Sequence, residues 1–238
     1  MSVFATLVDG LATLVDGLAD LLRPLFGAGA AAAAVVLFTA LVRLLVHPLS
    51  RAAARGRRAR TALRPRIAEL RREHARDPER LQRAVLELHA EQQVSPLSGC
   101  LPSLCQLPAF FLLYHLFSST SIGGEPNTLL GRHLFAAPLG GNWSDALAAG
   151  GPAGGAGLVY AGLFALVAAV AAFGYRQSRR ATAEQAPELQ AGPAALTKVL
   201  PFMSFGTLIT VAVVPLAAAL YVATSTAWSA VERAVLYR

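Results

Sequence analysis

The residue whose type and setting could do chemistry is Arg43. It stands in TALVRLLVHPLS, residues 39–50, within a stretch from Ala28 to Leu49 whose only ionisable side chains are Arg43 and His47. A stretch of that length, at about 1.5 Å per residue, crosses the roughly 30 Å hydrocarbon layer of a bilayer, so it reads as a transmembrane helix carrying a cation. A guanidinium at the centre of such a helix costs about 2.5–3.5 kcal/mol on insertion scales, a cost relieved when it faces protein or a watery cavity. There it would act electrostatically, attracting acidic groups. Arg43 alone leaves a second reading open, because it lies about 9 Å from Leu49 along the axis and a long arginine can snorkel to the interface.

No other residue set offers chemistry. The five histidines, His47, His74, His89, His115 and His133, lack metal-ligand spacing, and no G-x-S-x-G or H-E-x-x-H motif occurs. No catalytic residues, metal or cofactor are expected, and the chain does not read as an enzyme. Cys100 and Cys105 lie five apart in an apolar segment, where they read as small core residues rather than a disulfide.

The elements that must position Arg43 are those of a membrane protein. Hydrophobic residues make up 55% of the 238, charged residues only 15%, and the mean hydropathy is +0.49. The net charge of +7 is concentrated, with twelve arginines between Arg51 and Arg83, so the basic balance describes one loop rather than a nucleic-acid-binding surface.

At the start, ATLVDGL of residues 5–11 recurs as residues 12–18. The apolar set Phe4, Leu7, Val8, Leu11, Leu14, Val15, Leu18, Leu21, Leu22 and Leu25 forms one side of a helix, with Asp9, Asp16 and Asp20 elsewhere. Residues 1–27 are therefore expected to be an external amphipathic helix in the membrane interface, broken by Pro24 and Gly27. No cleaved signal peptide or lipidation cysteine is read there.

The remainder, 28–238, reads as an all-α membrane domain of five spans, 28–49, 97–122, 157–175, 198–214 and 215–233. A cytoplasmic helical hairpin covers 51–96, with Leu63, Ile67 and Leu70 on one stripe, Leu81, Val85 and Leu88 on another, and Asp77–Pro78 as helix cap and first turn. The Gly-, Ala- and Pro-rich external loop, 123–156, is expected to be irregular and exposed, and a partly helical cytoplasmic loop covers 176–197. Eighteen of the 21 basic residues then lie inside, which places the N-terminus outside and the C-terminus in the cytoplasm, with Pro215 turning the last apolar run back on itself.

Helical rise sets Arg43, Thr39, Gln106, Ser204, Thr207, Thr224 and Ser225 at one level in the cytosolic half of the membrane. They read either as the lining of a hydrophilic groove open to the cytosol, or as Ser and Thr bonding their own helices with Gln106 joining two helices.

These residues also resemble a family. LVRLLVHPLS, with Arg43 and Pro48, is similar to the first core span of the YidC-type insertases, which include the mitochondrial oxidase-assembly and chloroplast thylakoid insertases. LRPRIAEL resembles the start of their cytoplasmic hairpin. VSPLSGCLPSLCQLPAFFLLY, residues 94–114, resembles their most recognisable stretch, with Pro96, Gly99, Cys100, Pro102, Gln106, Pro108, Phe110 and Tyr114 in place, and LPFMSFGTLITVAVVPLAAALYVATSTAW, with Pro215, looks like their last two spans. Val222, Ala217, Thr226 and Ser95 depart from the usual residues.

The resemblance implies that Arg43 is the groove arginine, that Thr39 and Gln106 line the same groove, and that Tyr221 is an aromatic of the last span. It implies a monomeric insertase of a bacterial plasma membrane that places nascent membrane proteins with short translocated tails into the lipid bilayer without nucleotide. The ribosome, signal recognition particle or its receptor, and the Sec translocon are candidate partners. Two rivals are weighed beside it: a membrane chaperone or assembly factor acting with the Sec translocon, and a small-molecule transporter, whose paired broken helices and inverted repeats find no counterpart here.

Overall fold

The computed structural model describes residues 3–92, 101–122, 124–189 and 205–236, and the chain is mostly helical. The helices are α1 (Val3–Phe26), α2 (Ala30–Glu73), α3 (Pro78–Glu91), α4 (Leu101–Ser118), α5 (Trp143–Gly150), α6 (Gly155–Leu189), α7 (Gly206–Val213) and α8 (Leu216–Leu236). Between α4 and α5 lie two short antiparallel hairpins, β1 (Ser121–Ile122) with β2 (Glu125–Pro126) and β3 (His133–Leu134) with β4 (Ala137–Pro138). Among the described residues, Phe4–Leu63 and Gly155–Gln177 are long and apolar enough to cross a membrane, and Leu107–Ser118 is a shorter apolar helix.

The chain divides into two compact units, Met1–Arg43 with Pro108–Val231, and Leu44–Leu107 with Glu232–Arg238. The core of the first is built from small and branched residues: Ala31, Ala32, Ala34 and Val35 of α2, Leu113, Leu116 and Phe117 of α4, Leu163 and Val167 of α6, and Leu216 to Ala219 of α8. Alanines of this kind let membrane helices approach closely, where dispersion rather than water exclusion holds them.

Several expectations change. Pro24 does not break α1, which runs to Phe26; the break falls at Gly27, whose φ of 53° suits glycine. Nor is the whole apolar side of the helix left free for the membrane interface. Val8, Leu11, Val15 and Ala19 are buried in the core, whereas Phe4, Leu7, Leu14, Leu21 and Leu25 are exposed. The apolar arc is wider than the protein face that it covers, and the heptad-spaced leucines of the duplication supply the excess.

The first span and the first hairpin arm are one helix, α2, which continues through Pro48 and Pro65. The third span likewise continues as α6 to Leu189, so the first part of the 176–197 loop is helical. In the second unit, Leu63, Ile67, Leu70, Leu81, Val85 and Leu88 are half-buried while Arg66, Glu69, Gln82 and Arg83 are exposed, as the stripes predict. Asp77 caps α3 by accepting from the Arg80 amide at 3.0 Å, with Pro78 in the first turn.

The connector between α4 and α6 is more ordered than the irregular exposed loop expected, although many of its residues, Glu125, Phe135 and Leu147 among them, are exposed. Leu129, Ala137, Leu139 and Ala146 are buried. A capping box opens α5, with the Asp145 amide donating to Asn142 at 3.2 Å and the Asn142 amide donating to Asp145 at 3.0 Å. Trp143 then packs edge-on against Phe164 of α6.

Pro215 does separate α7 from α8, and the amides at the start of α8 have no carbonyl of their own helix to meet. The connector supplies them: Leu216 N–H donates to the Gly141 carbonyl at 2.8 Å and Ala217 N–H to that of Leu139 at 3.0 Å.

Candidate functional site

Arg43 sits within the apolar part of α2, half-buried, and its guanidinium reaches α8. Nε donates to the Ser225 hydroxyl at 2.9 Å, and one terminal nitrogen donates to the Ser225 carbonyl at 2.6 Å and also to the same hydroxyl. The same carbonyl also accepts from the Ser229 hydroxyl at 3.0 Å. A charged donor spread over two oxygens of one residue makes a strong, directional tie between helices.

One turn before Arg43 on α2, Thr39 is fully buried and its hydroxyl donates to the Val35 carbonyl at 2.7 Å. The structure therefore encloses Thr39 behind Arg43 instead of exposing it, and its polar capacity is spent on its own helix. One turn before Ser225 on α8, Tyr221 is buried, with its ring 5.9 Å from that of Phe110 on α4, which stacks on Tyr114. Thr224 and Thr207 are half-buried. Thr226 donates to the Val222 carbonyl at 2.8 Å, and the indole N–H of Trp228 is buried with no acceptor among the described residues.

Of the residues that sequence placed at one level, Arg43 and Ser225 are joined directly. Gln106 lies in α4, in the other unit, and its side chain lies outside the described residues, as does that of Pro102. Ser204, Pro96, Gly99 and Cys100 lie outside them altogether. Pro108 is exposed within α4, Pro48 is exposed within α2, and Pro215 makes the α7–α8 break.

Sequence reasoning did not foresee a second polar tie, in the other unit: His47 Nδ1 lies 2.7 Å from the Glu232 carboxylate, whose side chain is 12% exposed. The available signal was that Glu232 is an isolated acid closing an apolar run, and such a group needs a partner. The connector core was missed too, although the N-x-x-D of its capping box was readable.

The arrangement holds one half-buried cation of α2 against Ser225 of α8, while the hydroxyls of Thr39, Thr226 and Ser229 are spent on carbonyls of their own helices. Among the described residues no cluster of metal-ligating side chains exists. Comparison with known proteins gives this geometry a context. The model of the 60Kd inner membrane protein family matches residues 22–238. The chain is similar to the membrane protein insertase YidC of Clostridium perfringens, 38% identical over 95 residues, 40% of each chain. It is also similar to that of an Anaeromyxobacter species, 38% over 94 residues, 39% of this chain and 17% of the relative. That of Francisella tularensis subsp. novicida is 41% identical over 81 residues, 34% of this chain and 15% of the relative. The aligned stretches thus span well under two thirds of these relatives.

Proposed function

The chain belongs to the 60Kd inner membrane protein family, the YidC/Oxa1 family, and from that premise we propose that it is a membrane protein insertase of a bacterial plasma membrane. The observation that carries the reading is the family match itself, which takes in Arg43 and the polar side chains of α8. The insertase has five spans, with the N-terminus and residues 123–156 outside and the C-terminus in the cytoplasm. Arg43, Thr224 and Thr207 line a groove open to the cytosol, and the buried Thr39, Tyr221 and Ser225 form the wall behind them.

In this mechanism the polar tail of a nascent protein enters the groove and its acidic groups exchange with Ser225 for the Arg43 guanidinium. The tail then crosses a shortened apolar distance. The substrate's own apolar helix supplies the free energy by leaving water, at about 25 cal/mol per Å² buried. A membrane potential positive outside adds about 2.3 kcal/mol per acidic charge per 100 mV, and no nucleotide is consumed. The arginine-rich hairpin receives the substrate near anionic headgroups. Its partners are nascent proteins with short tails, lipid, and the ribosome, signal recognition particle or receptor, or Sec translocon, and it works as a monomer.

The test is insertion of a single-span protein with an acidic N-terminal tail into liposomes that contain only this protein, scored by protease protection. Arg43→Ala should abolish insertion, while Arg43→Lys should retain most of it because the charge persists. Should wild type insert nothing above empty liposomes, the assembly-factor reading replaces this one. Should Arg43→Ala match an active wild type, Arg43 is a structural tie to α8 and not a substrate site.

A further inference from the structure

We infer that Phe135, at the tip of the β3–β4 hairpin, is a lipid-contacting residue that seats in the headgroup and upper acyl region of the outer leaflet. Phe135 and Ala136 are the two residues that turn His133–Leu134 back into Ala137–Pro138. Phe135 has φ of 52°, the one positive value at a non-glycine position among the described residues. Two-residue hairpin turns that need such a backbone select Gly, Asn or Asp, and a bulky aromatic there is strained. The ring gains nothing from the protein in return, for it is 84% exposed, more than any other large hydrophobic residue described.

Its surroundings argue that this exposure is directed. Ala137 and Leu139, which follow the tip, are buried, so the hairpin is docked firmly and only its end projects. The tip from Leu134 to Pro138 carries no ionisable group. Strand β3 lies against the Gly27–Gly29 turn, which follows Leu21, Leu25 and Phe26, exposed to 72%, 80% and 55%. Phe135 therefore extends the apolar rim at the start of the first apolar span. In an inner-membrane protein the surface continuous with a span is lipid, and an aromatic ring on a neutral tip matches the headgroup level, where aromatic side chains concentrate. Lipid contact compensates the turn strain that the protein itself does not.

The inference rests on the proposed topology, which puts residues 123–156 outside, and the experiment separates the two. With Cys100 and Cys105 replaced by alanine, single cysteines are introduced as Phe135→Cys and, for comparison, Ser144→Cys at an exposed polar position of α5. Each is labelled with an environment-sensitive fluorophore in vesicles that contain lipids with a nitroxide on the fifth or the twelfth acyl carbon. The label at 135 should be quenched at least about twofold more than the label at 144, more by the shallow nitroxide than by the deep one, with blue-shifted emission.

Quenching at 135 no stronger than at 144 overturns the inference, whether the label is then in water or shielded by a partner protein or a second copy of the chain. Sidedness is read separately, with a membrane-impermeant maleimide on intact spheroplasts. Labelling of Ser144→Cys before permeabilisation upholds the topology. Labelling only afterwards overturns the topology, and with it the outer-leaflet assignment, whatever the quenching shows.

Discussion

The connector from Ser119 to Gly154 and the arginine-rich arms from Arg51 to Glu91 are both joined to apolar helices, yet they are held in opposite ways. In the arms the ion pairs Arg66–Glu69, Arg80–Asp77 and Arg83–Glu79 link residues three or four apart. The connector is held by partners distant in sequence: Arg132 to Asp16 at 2.8 Å, Tyr160 hydroxyl to the Gly141 carbonyl at 2.7 Å, and the α8 amides to Leu139 and Gly141. These ion pairs of the arms follow the helical period, while these contacts of the connector reach other elements. Damage should therefore stay local in the arms and spread in the connector.

The largest expected effect comes where the connector leaves no room. A Cβ on Gly157, in the first turn of α6, would fall 2.7 Å from the Pro152 carbonyl oxygen and against that of Gly151, whereas one on Gly150 meets nothing within 4 Å. Backbone cannot rotate away as a side chain can, so Gly157→Ala should cost about 2–3 kcal/mol. Gly150→Ala should be neutral or slightly stabilising. Thermal unfolding in detergent followed by tryptophan fluorescence reads both, because Trp143 packs on Tyr160 and Phe164. Equal midpoints for the two variants would mean that the connector yields as easily as an ordinary loop.

A smaller effect is expected at Asn127, which fastens the connector to the end of α4. Its amide donates to the Leu116 carbonyl at 2.6 Å and the Ser119 carbonyl at 2.9 Å, and its oxygen accepts from the Leu129 amide at 3.1 Å. These are carbonyls that a helix end leaves unmatched. Asn127→Ala should cost about 1–2 kcal/mol and make 119–131 the first site of limited proteolysis. Asn127→Asp keeps the acceptor and loses both donors, so recovery of stability in that variant would show that the Leu129 contact alone matters.

The same contrast explains what was legible in the sequence. Arg43, the two hydrophobic stripes and the Asp77–Pro78 cap were readable because each is decided within a turn or two of helix. The partner of Arg43 was not: Thr224, Ser225, Thr226 and Ser229 are near-equivalent hydroxyls 182 or so positions away, and helix rotation alone selects Ser225. Thr39 was read on the face of Arg43, but rise along an axis does not say that the residue is buried or that its hydroxyl turns to Val35. Composition read the connector as loose because Gly, Ala and Pro disfavour regular structure. It carried no trace of the α8 amides that Gly141 and Leu139 would meet, since Pro215 creates that need far down the chain.

The smallest effect should come from the arms, and it sharpens the comparison most. Asp77 does two things at the start of α3: one carboxylate oxygen accepts from the Arg80 amide, and the other lies 3.0 Å from Arg80 Nε. The cap satisfies a helix-end donor that water otherwise meets less well, whereas the ion pair is exposed and screened. Asp77→Ala should therefore cost about 1 kcal/mol, seen as faster amide exchange over 77–81, and Asp77→Asn should recover most of it because an amide oxygen still caps. The midpoint read through Trp143 should not move for either variant. Were it to fall with Asp77→Ala, the arms and the connector would be unfolding as one cooperative body, and the contrast between local and distant fastening would not describe how this chain is held together.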